Sequence, residues 1–158
     1  MSKGGDKKGR DNRWRDVDGG SAFIIPHTLL RHPNFRRLSP FAHKLLHDLA
    51  AQYSGFNNGY LCASFSIMEE HGWCKETLWR TVRELEHYNL IVRTQQGGKH
   101  KPNLHAFTWC RIDEKKDKPL EVAPTMKPGN EWKVEVPAFD LKIIHKKKPK
   151  RTRLRAAA

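Results

Sequence analysis

Residues 71–80, HGWCKETLWR, contain the side chains of this sequence that most invite a chemical interpretation. Histidine and cysteine bind metals and attack electrophiles, and here they stand beside two tryptophans and three charged residues. A structural zinc site needs four ligands, commonly in close Cys-x2-4-Cys pairs. His71 and Cys74 form one close pair with Cys62 farther away, and no second pair accompanies them. The spacing therefore argues against zinc, and we expect no metal or other cofactor.

Cys74 also invites an interpretation as a nucleophile. It stands where a helix is predicted to begin, and a helix N-terminus can lower the pKa of a thiol. A capping or packing role explains the same residue more simply. The nine histidines are not accompanied by a Gly-x-Ser-x-Gly, P-loop, HExxH or paired-carboxylate motif. We therefore expect no enzyme, and we expect Trp73, Phe107 and Trp109 to be core residues rather than base-stacking platforms.

The charge of the chain indicates its partners. Thirty Lys and Arg against seventeen Asp and Glu give a net charge of +13, which favours a polyanion such as nucleic acid or an anionic membrane surface. No apolar run approaches the roughly 18 residues of a membrane span, and no signal-peptide core is present. The three cysteines are odd in number and widely spaced. We expect no membrane partner and a reducing, cytoplasmic location.

Composition divides the chain into a domain and its flanks. Both ends are rich in charge and poor in apolar residues, and residues 141–158 carry eight basic residues and no acidic one. Such segments bury too little apolar surface to offset the entropy of ordering. The predicted organisation is a disordered tail at 1–20, a folded domain at 21–111, a linker at 112–129, a short strand or helix packed on the domain at 130–145, and a basic disordered tail at 146–158.

The order of elements predicts the fold class. Ser39 and Pro40 have the chemistry of an N-cap and first helical residue, and apolar residues from Phe41 to Tyr53 recur at three- and four-residue steps. After a short strand at 60–62, a two-turn helix ends at Gly72, and a longer helix follows from Cys74. Two alternating segments around the loop 97–103 indicate a hairpin. This order predicts an α+β winged helix-turn-helix, that is, a three-helix core with a β-hairpin wing.

The second helix of such a motif enters the major groove with its N-terminal half. With Leu78, Val82 and Leu85 on the buried side, Glu76, Arg80, Arg83 and His87 lie opposite them. Arg can bond guanine bidentately, Glu can accept from cytosine, and Thr can meet a thymine methyl. The alternative is a solvated face of Glu76, Arg80, Arg83 and Glu84 joined by ion pairs. The predicted DNA-binding residues are Lys75, Glu76, Thr77, Trp79, Arg80 and Arg83 on the helix and Lys99, His100 and Lys101 on the wing. Nonspecific phosphate contacts are predicted for Lys146, Lys147, Lys148, Lys150, Arg151, Arg153 and Arg155.

Residues 23–109 resemble the small winged helix-turn-helix proteins of bacterial plasmids, integrative elements and prophages. The similar stretches are IPHTLLRHPNFRRLSPFAHKLL, AQYSGFNNGYLCAS and GWCKETLWRTVRELEHYNLIV, within which LSP and NNG are the most specific. The resemblance implies DNA binding, a mobile-element origin and a location in the bacterial cytoplasm, at the nucleoid or a plasmid. Cys74 replaces the serine common at the start of the recognition helix, and Trp79 replaces a smaller residue, so base preference does not carry over.

We therefore expect a sequence-specific double-stranded DNA-binding protein, either a transcriptional regulator or a replication-associated factor of a mobile element. Two alternatives remain open at this point. The domain could be a protein-interaction adaptor in a replication or host-takeover assembly, or the tails could bind RNA. Contact between residues 131–136 and Arg80 would exclude DNA reading by that helix. The sequence leaves homodimerisation open.

Overall fold

The computed structural model describes residues 22–140, which form a mixed α+β fold of five helices and one three-stranded antiparallel sheet. None of the helices in this part of the chain is long and apolar enough to cross a membrane. The predicted tails at 1–20 and 146–158, with all seven predicted phosphate-contacting residues, lie outside the described residues. The elements are α1 (His27–Arg31), α2 (Pro33–Arg36), α3 (Pro40–Gln52), β1 (Leu61–Cys62), α4 (Phe65–Met68), α5 (Lys75–His87), β2 (Ile91–Gln95) and β3 (Leu104–Phe107).

The predicted start of α3 is confirmed. Ser39 is the N-cap, its hydroxyl accepts from the amide of Ala42 at 3.2 Å, and Pro40 begins the helix without leaving an unsatisfied N–H. The buried stripe differs from the predicted one at its first position, since Phe41 is 50% exposed and Ala42 is buried instead. Leu45, Leu46 and Leu49 of that stripe are completely buried, and Tyr53, its last member, is half-buried against the core.

The segment before α3 contains one more helix than its sequence predicts. The sequence predicts a helical turn that begins at Pro26 and ends at Pro33; Pro33 does follow α1, but it also begins α2. The ring nitrogen Nδ1 of His32 accepts from the amide of Asn34 at 3.2 Å, so a histidine caps the short helix. Proline suits this first position because its missing N–H has no partner in the first turn.

A tight turn joins α4 to α5. The chain leaves α4 through a 3-10 turn, Glu69–His71. A glycine just after a helix predicts a left-handed residue, and Gly72 takes this conformation with φ of 80°. Trp73 is buried, and its indole N–H donates to the carboxylate of Asp48 on α3 at 2.6 Å. This contact fixes the corner between the two helices against α3.

The three strands form a sheet in the order β1-β3-β2. Both neighbouring pairs are antiparallel, with Ile91 opposite Phe107 and Arg93 opposite His105, and the register shifts between Arg93 and Gln95. The core between helices and sheet includes Trp73, Phe107 and Trp109, as expected from the sequence.

Residues 112–129 contain no regular helix or strand, but they lie along the domain. The amide of Asp113 donates to the Asn58 carbonyl at 2.8 Å, and that of Glu121 donates to the Thr94 carbonyl at 3.1 Å. The Tyr60 hydroxyl donates to the carbonyl of Lys118 at 2.7 Å. The predicted linker therefore contacts the domain at several places.

Residues 131–139, which we call the belt, pack on the domain but contain no strand. The alternation of apolar and charged residues in EWKVEV, residues 131–136, predicts a strand, whereas Glu131–Lys133 form a 3-10 turn that buries Trp132. The belt is held by completely buried Asn34, whose amide group donates to the carbonyls of Trp132 and Val134 at 3.0 and 2.8 Å. Its amide oxygen accepts from Val136 at 3.1 Å. Side-chain hydrogen bonds thus replace the strand pairing that alternation predicted.

Candidate nucleic-acid interface

Helix α5 is fixed in the fold by apolar packing and by one buried carboxylate. Leu78 and Leu85 lie in the core. Glu84 is 6% exposed, and its carboxylate accepts from both the amide and the hydroxyl of Ser39, each at 2.7 Å. The alternative interpretation of the helix placed Glu84 on a solvated face. That placement is wrong, because this side chain joins α5 to the start of α3.

The opposite face of α5 is open. Lys75, Glu76 and Arg80 are exposed, and Thr77 is half-buried at the first turn. With respect to the described residues, the Arg80 guanidinium takes part in no hydrogen bond or ion pair. The alternative of a solvated, ion-paired face includes a pair of Glu76 with Arg80, and this pair is not formed. A guanidinium that makes no hydrogen bond or ion pair with these residues can donate all its N–H groups to another molecule.

Trp79 and Arg83 form a second group on α5. The indole of Trp79 is 43% exposed, and the guanidinium carbon of Arg83 lies 5.8 Å from its ring centroid. Arg83 also pairs with Glu86 at 3.3 Å. Arg83 is consequently held against its own helix, whereas Arg80 projects into solvent.

The three predicted wing residues lie together at the tip of the hairpin. Lys99, His100 and Lys101 are all exposed. The amide of Gly98 donates to the carbonyl of Lys101 at 2.9 Å, which closes a short turn around Lys99 and His100. The turn thus projects three nitrogen-bearing side chains from one small loop.

A groove of about 350 Å³ separates α5 from the hairpin. The groove brings three of the predicted residues together, namely Lys75, Trp79 and Arg83. It also includes residues that the sequence did not single out, because their placement depends on how the hairpin packs on α5. These are Phe65 from α4 and Arg93, Gln96, Asn103 and His105 from the hairpin.

Glu86 links α5 to the hairpin beside this groove. Its Oε1 atom lies 2.7 Å from the Arg93 guanidinium and 3.4 Å from Nε2 of His105. Burial pushes the pKa of Glu86 upward, but His105 and the positive charge of Arg93 outweigh burial, so its pKa is lowered. The carboxylate is therefore ionised at neutral pH and holds the hairpin against α5.

The histidine and cysteine of residues 71–80 belong to no cluster of potential metal ligands in the described part of the chain. Across residues 22–140, no three His, Cys, Asp or Glu side chains are grouped in a way that could hold a metal ion. Cys74 is exposed and its Sγ donates to the hydroxyl of Thr77 at 3.0 Å. The hydrogen bond with the side chain of Thr77 is the main cause that lowers the pKa of the Cys74 thiol. It is the N-cap residue of α5, without a side-chain bond to the helix backbone.

Comparison with known proteins returned no matching family model, no matching curated protein and no matching solved structure. The candidate interface consequently depends on the geometry of this chain alone. Its elements are the exposed face of α5, the basic tip of the hairpin and the groove between them.

Proposed function

We propose that this protein binds double-stranded DNA sequence-specifically through a winged helix-turn-helix, with α4 and α5 as the two helices and the β2–β3 hairpin as the wing. In this proposal Lys75, Glu76, Thr77, Trp79, Arg80 and Arg83 face the major groove, while Lys99, His100 and Lys101 contact the backbone or the minor groove. We further propose a role in transcription or replication of a bacterial mobile element, acting in the cytoplasm.

One observation carries this proposal. The solvent-exposed side of α5 presents Arg80 without a partner in the described part of the chain, and the groove beside it is bordered by further cations. A helix face whose charged side chains pair with one another would indicate only a solvent-exposed surface. An exposed guanidinium in a domain that also carries a basic loop instead suits a polyanion whose base edges accept hydrogen bonds.

The position of the belt also favours DNA binding by α5, because the belt does not bury Arg80. The belt contacts α2 and the C-terminal end of α5: Arg37 pairs with Glu135 at 2.6 Å, and the His87 ring is 2.7 Å from the carbonyl of Pro137. Arg80 is exposed and is not among the residues bonded to the belt. The contact that would have excluded DNA reading by α5 is therefore not made.

Selection from a random duplex pool tests the proposal. The full chain should enrich a defined motif, and its affinity for that motif should fall steeply with salt, since phosphate contacts release counterions. A palindromic motif would indicate a symmetric dimer. Enrichment of no motif, with equal weak binding of all duplexes, would contradict sequence-specific recognition. Preference for single-stranded RNA over every duplex would instead favour the RNA-binding alternative.

A further inference from the structure

The groove between α5 and the hairpin has walls suited to a flat aromatic ligand. The indole of Trp79 and the ring of Phe65 both line it, together with the apolar side chains of Leu78 and Val82. Its volume of about 350 Å³ lies at the lower end of the range for small-molecule sites. Aromatic surfaces of this kind stack nucleobases with little dependence on sequence.

The hairpin side of the groove carries groups that can bond the edge of a base. The amide oxygen of Asn103 accepts from the amide of Gly97 at 2.7 Å, which orients the side chain, while its NH₂ group donates to no described residue. Gln96 supplies a second amide. Amide side chains match the donor and acceptor pattern of a nucleobase.

His105 adds an independent sign that the groove awaits a polar ligand. This residue lines the groove although only 1% of it is exposed, and neither ring nitrogen makes a hydrogen bond within the described part of the chain. Its Nε2 atom approaches Glu86 at 3.4 Å without hydrogen-bond geometry. Buried polar groups are nearly always hydrogen-bonded. Because Nε2 lies beside the Glu86 carboxylate, Nδ1 is the atom of this imidazole that would gain a partner from a ligand in the groove.

Cations complete the lining. Lys75, Arg83 and Arg93 all border the groove. Glu86 holds the two arginines in position, at 3.3 Å from Arg83 and 2.7 Å from Arg93, while Lys75 is exposed. Arg93 directs Nε and Nη2 at Glu86 and Nη1 at Gln96, whereas Arg83 directs only Nη1 at Glu86. Lys75 and the remaining N–H groups of Arg83 are therefore the donors best placed to bond a phosphate.

From these features we infer that the groove binds one nucleotide whose base is outside a duplex stack. The base stacks on Trp79, its edge meets Asn103, Gln96 and His105, and its phosphate meets the cations. This inference rests on the proposed function when the nucleotide belongs to DNA, because a strand engaged by both α5 and the wing would cross the groove. The same chemistry fits a free mononucleotide, and unpaired bases are the least costly to place in such a site.

Three matched duplexes test whether the groove binds a nucleotide that belongs to DNA. One is fully paired, one carries a single unpaired adenine, and one carries an abasic residue at the same bulge, which reproduces the bend without the base. The full chain should bind the unpaired-adenine duplex about ten-fold more tightly than the abasic one. Trp79→Ala should abolish this difference and Trp79→Phe should keep most of it, while thermal melting checks that both variants fold.

A second arm tests the free nucleotide. The four deoxynucleoside 5′-monophosphates are titrated into the full chain by calorimetry, and binding that disappears in Trp79→Ala assigns the site to a free nucleotide. Equal affinity for the adenine and abasic bulges, together with no Trp79-dependent mononucleotide binding, overturns the inference. Failure of the proposed function gives a different pattern. In that case the chain selects no duplex motif, whereas its affinities for the unpaired-adenine and abasic duplexes can still be compared.

Discussion

The carboxylate of Glu84 on α5 accepts hydrogen bonds from both the backbone amide and the hydroxyl of Ser39, each at 2.7 Å. Ser39 simultaneously accepts from Ala42 as the N-cap of α3. One pair of residues therefore sets the start of α3 and its contact with the proposed recognition helix. The orientation of the exposed face of α5 depends on this pair.

Glu84→Ala tests that relationship. Hydrogen bonds to a charged group contribute about 1.5–3 kcal/mol, and the substitution also leaves the Ser39 groups without their partner, so unfolding should become easier by about that amount. Chemical denaturation measures the change. Glu70→Ala serves as the control, because Glu70 is exposed and its loss should change stability by at most about 0.5 kcal/mol. Equal effects of both variants would show that the Glu84 contact is not stabilising.

Asn34→Ala should release the belt. Three carbonyls and the Val136 amide lose a buried partner, which costs about 1–3 kcal/mol. Hydrogen exchange should therefore accelerate at Val136 and leave the amides of α3 protected. Arg37→Ala provides the comparison, since Arg37 holds the same segment from the exposed side. An unchanged Val136 amide in Asn34→Ala would mean that other contacts retain the belt.

The lowered pKa of Glu86 predicts that the stability of the fold depends on pH. Its folded pKa is lowered from 4.5, so its ion pairs stabilise the fold above about pH 4.5, and this contribution is lost as pH falls through the folded pKa. Glu86→Gln should be less stable than the wild type at pH 7, and the gap should shrink below pH 4.5. Denaturation midpoints across pH 3–7 measure it. A gap independent of pH would assign the effect to packing rather than to charge.

The hairpin tip should contribute affinity without specificity. Lys99→Ala and Lys101→Ala should each weaken the binding of all duplexes alike. Each substitution should also reduce the slope of log affinity against log salt by about one for the phosphate contact that it removes. Titrations at several salt concentrations provide the slopes, with Lys127→Ala as a control because Lys127 is an exposed lysine outside the hairpin. A changed motif preference in Lys99→Ala would instead indicate base contact by the tip.

Local patterns predicted the elements well. The cap at Ser39 and Pro40, the left-handed Gly72 and the apolar spacing of α5 are all short-range features, and each marks the element that the structure contains. Helix capping and periodicity act within one or two turns, so a single sequence displays them. The hairpin is predictable for the same reason.

The contacts that position these elements were not predictable. Glu84 is hydrogen-bonded to Ser39, 45 positions away. Asn34 is hydrogen-bonded to Val134 and Val136, about 100 positions away. Neither the charge of Glu84 nor the polarity of Asn34 indicates burial, because a buried polar group is tolerated only where a distant partner satisfies it. The same reason explains why His105 and Asn103 were not predicted as part of the groove.

The most direct measurement compares Arg80→Ala with the wild type on the selected duplex and on random DNA. A bidentate arginine–guanine contact is worth about 1–3 kcal/mol, so affinity for the selected site should fall on the order of ten-fold or more while random DNA is bound as before. Arg36→Ala, which alters an exposed arginine on α2, should change neither. Equal loss on both DNAs would reduce Arg80 to a phosphate contact, and no loss on either would contradict recognition by α5.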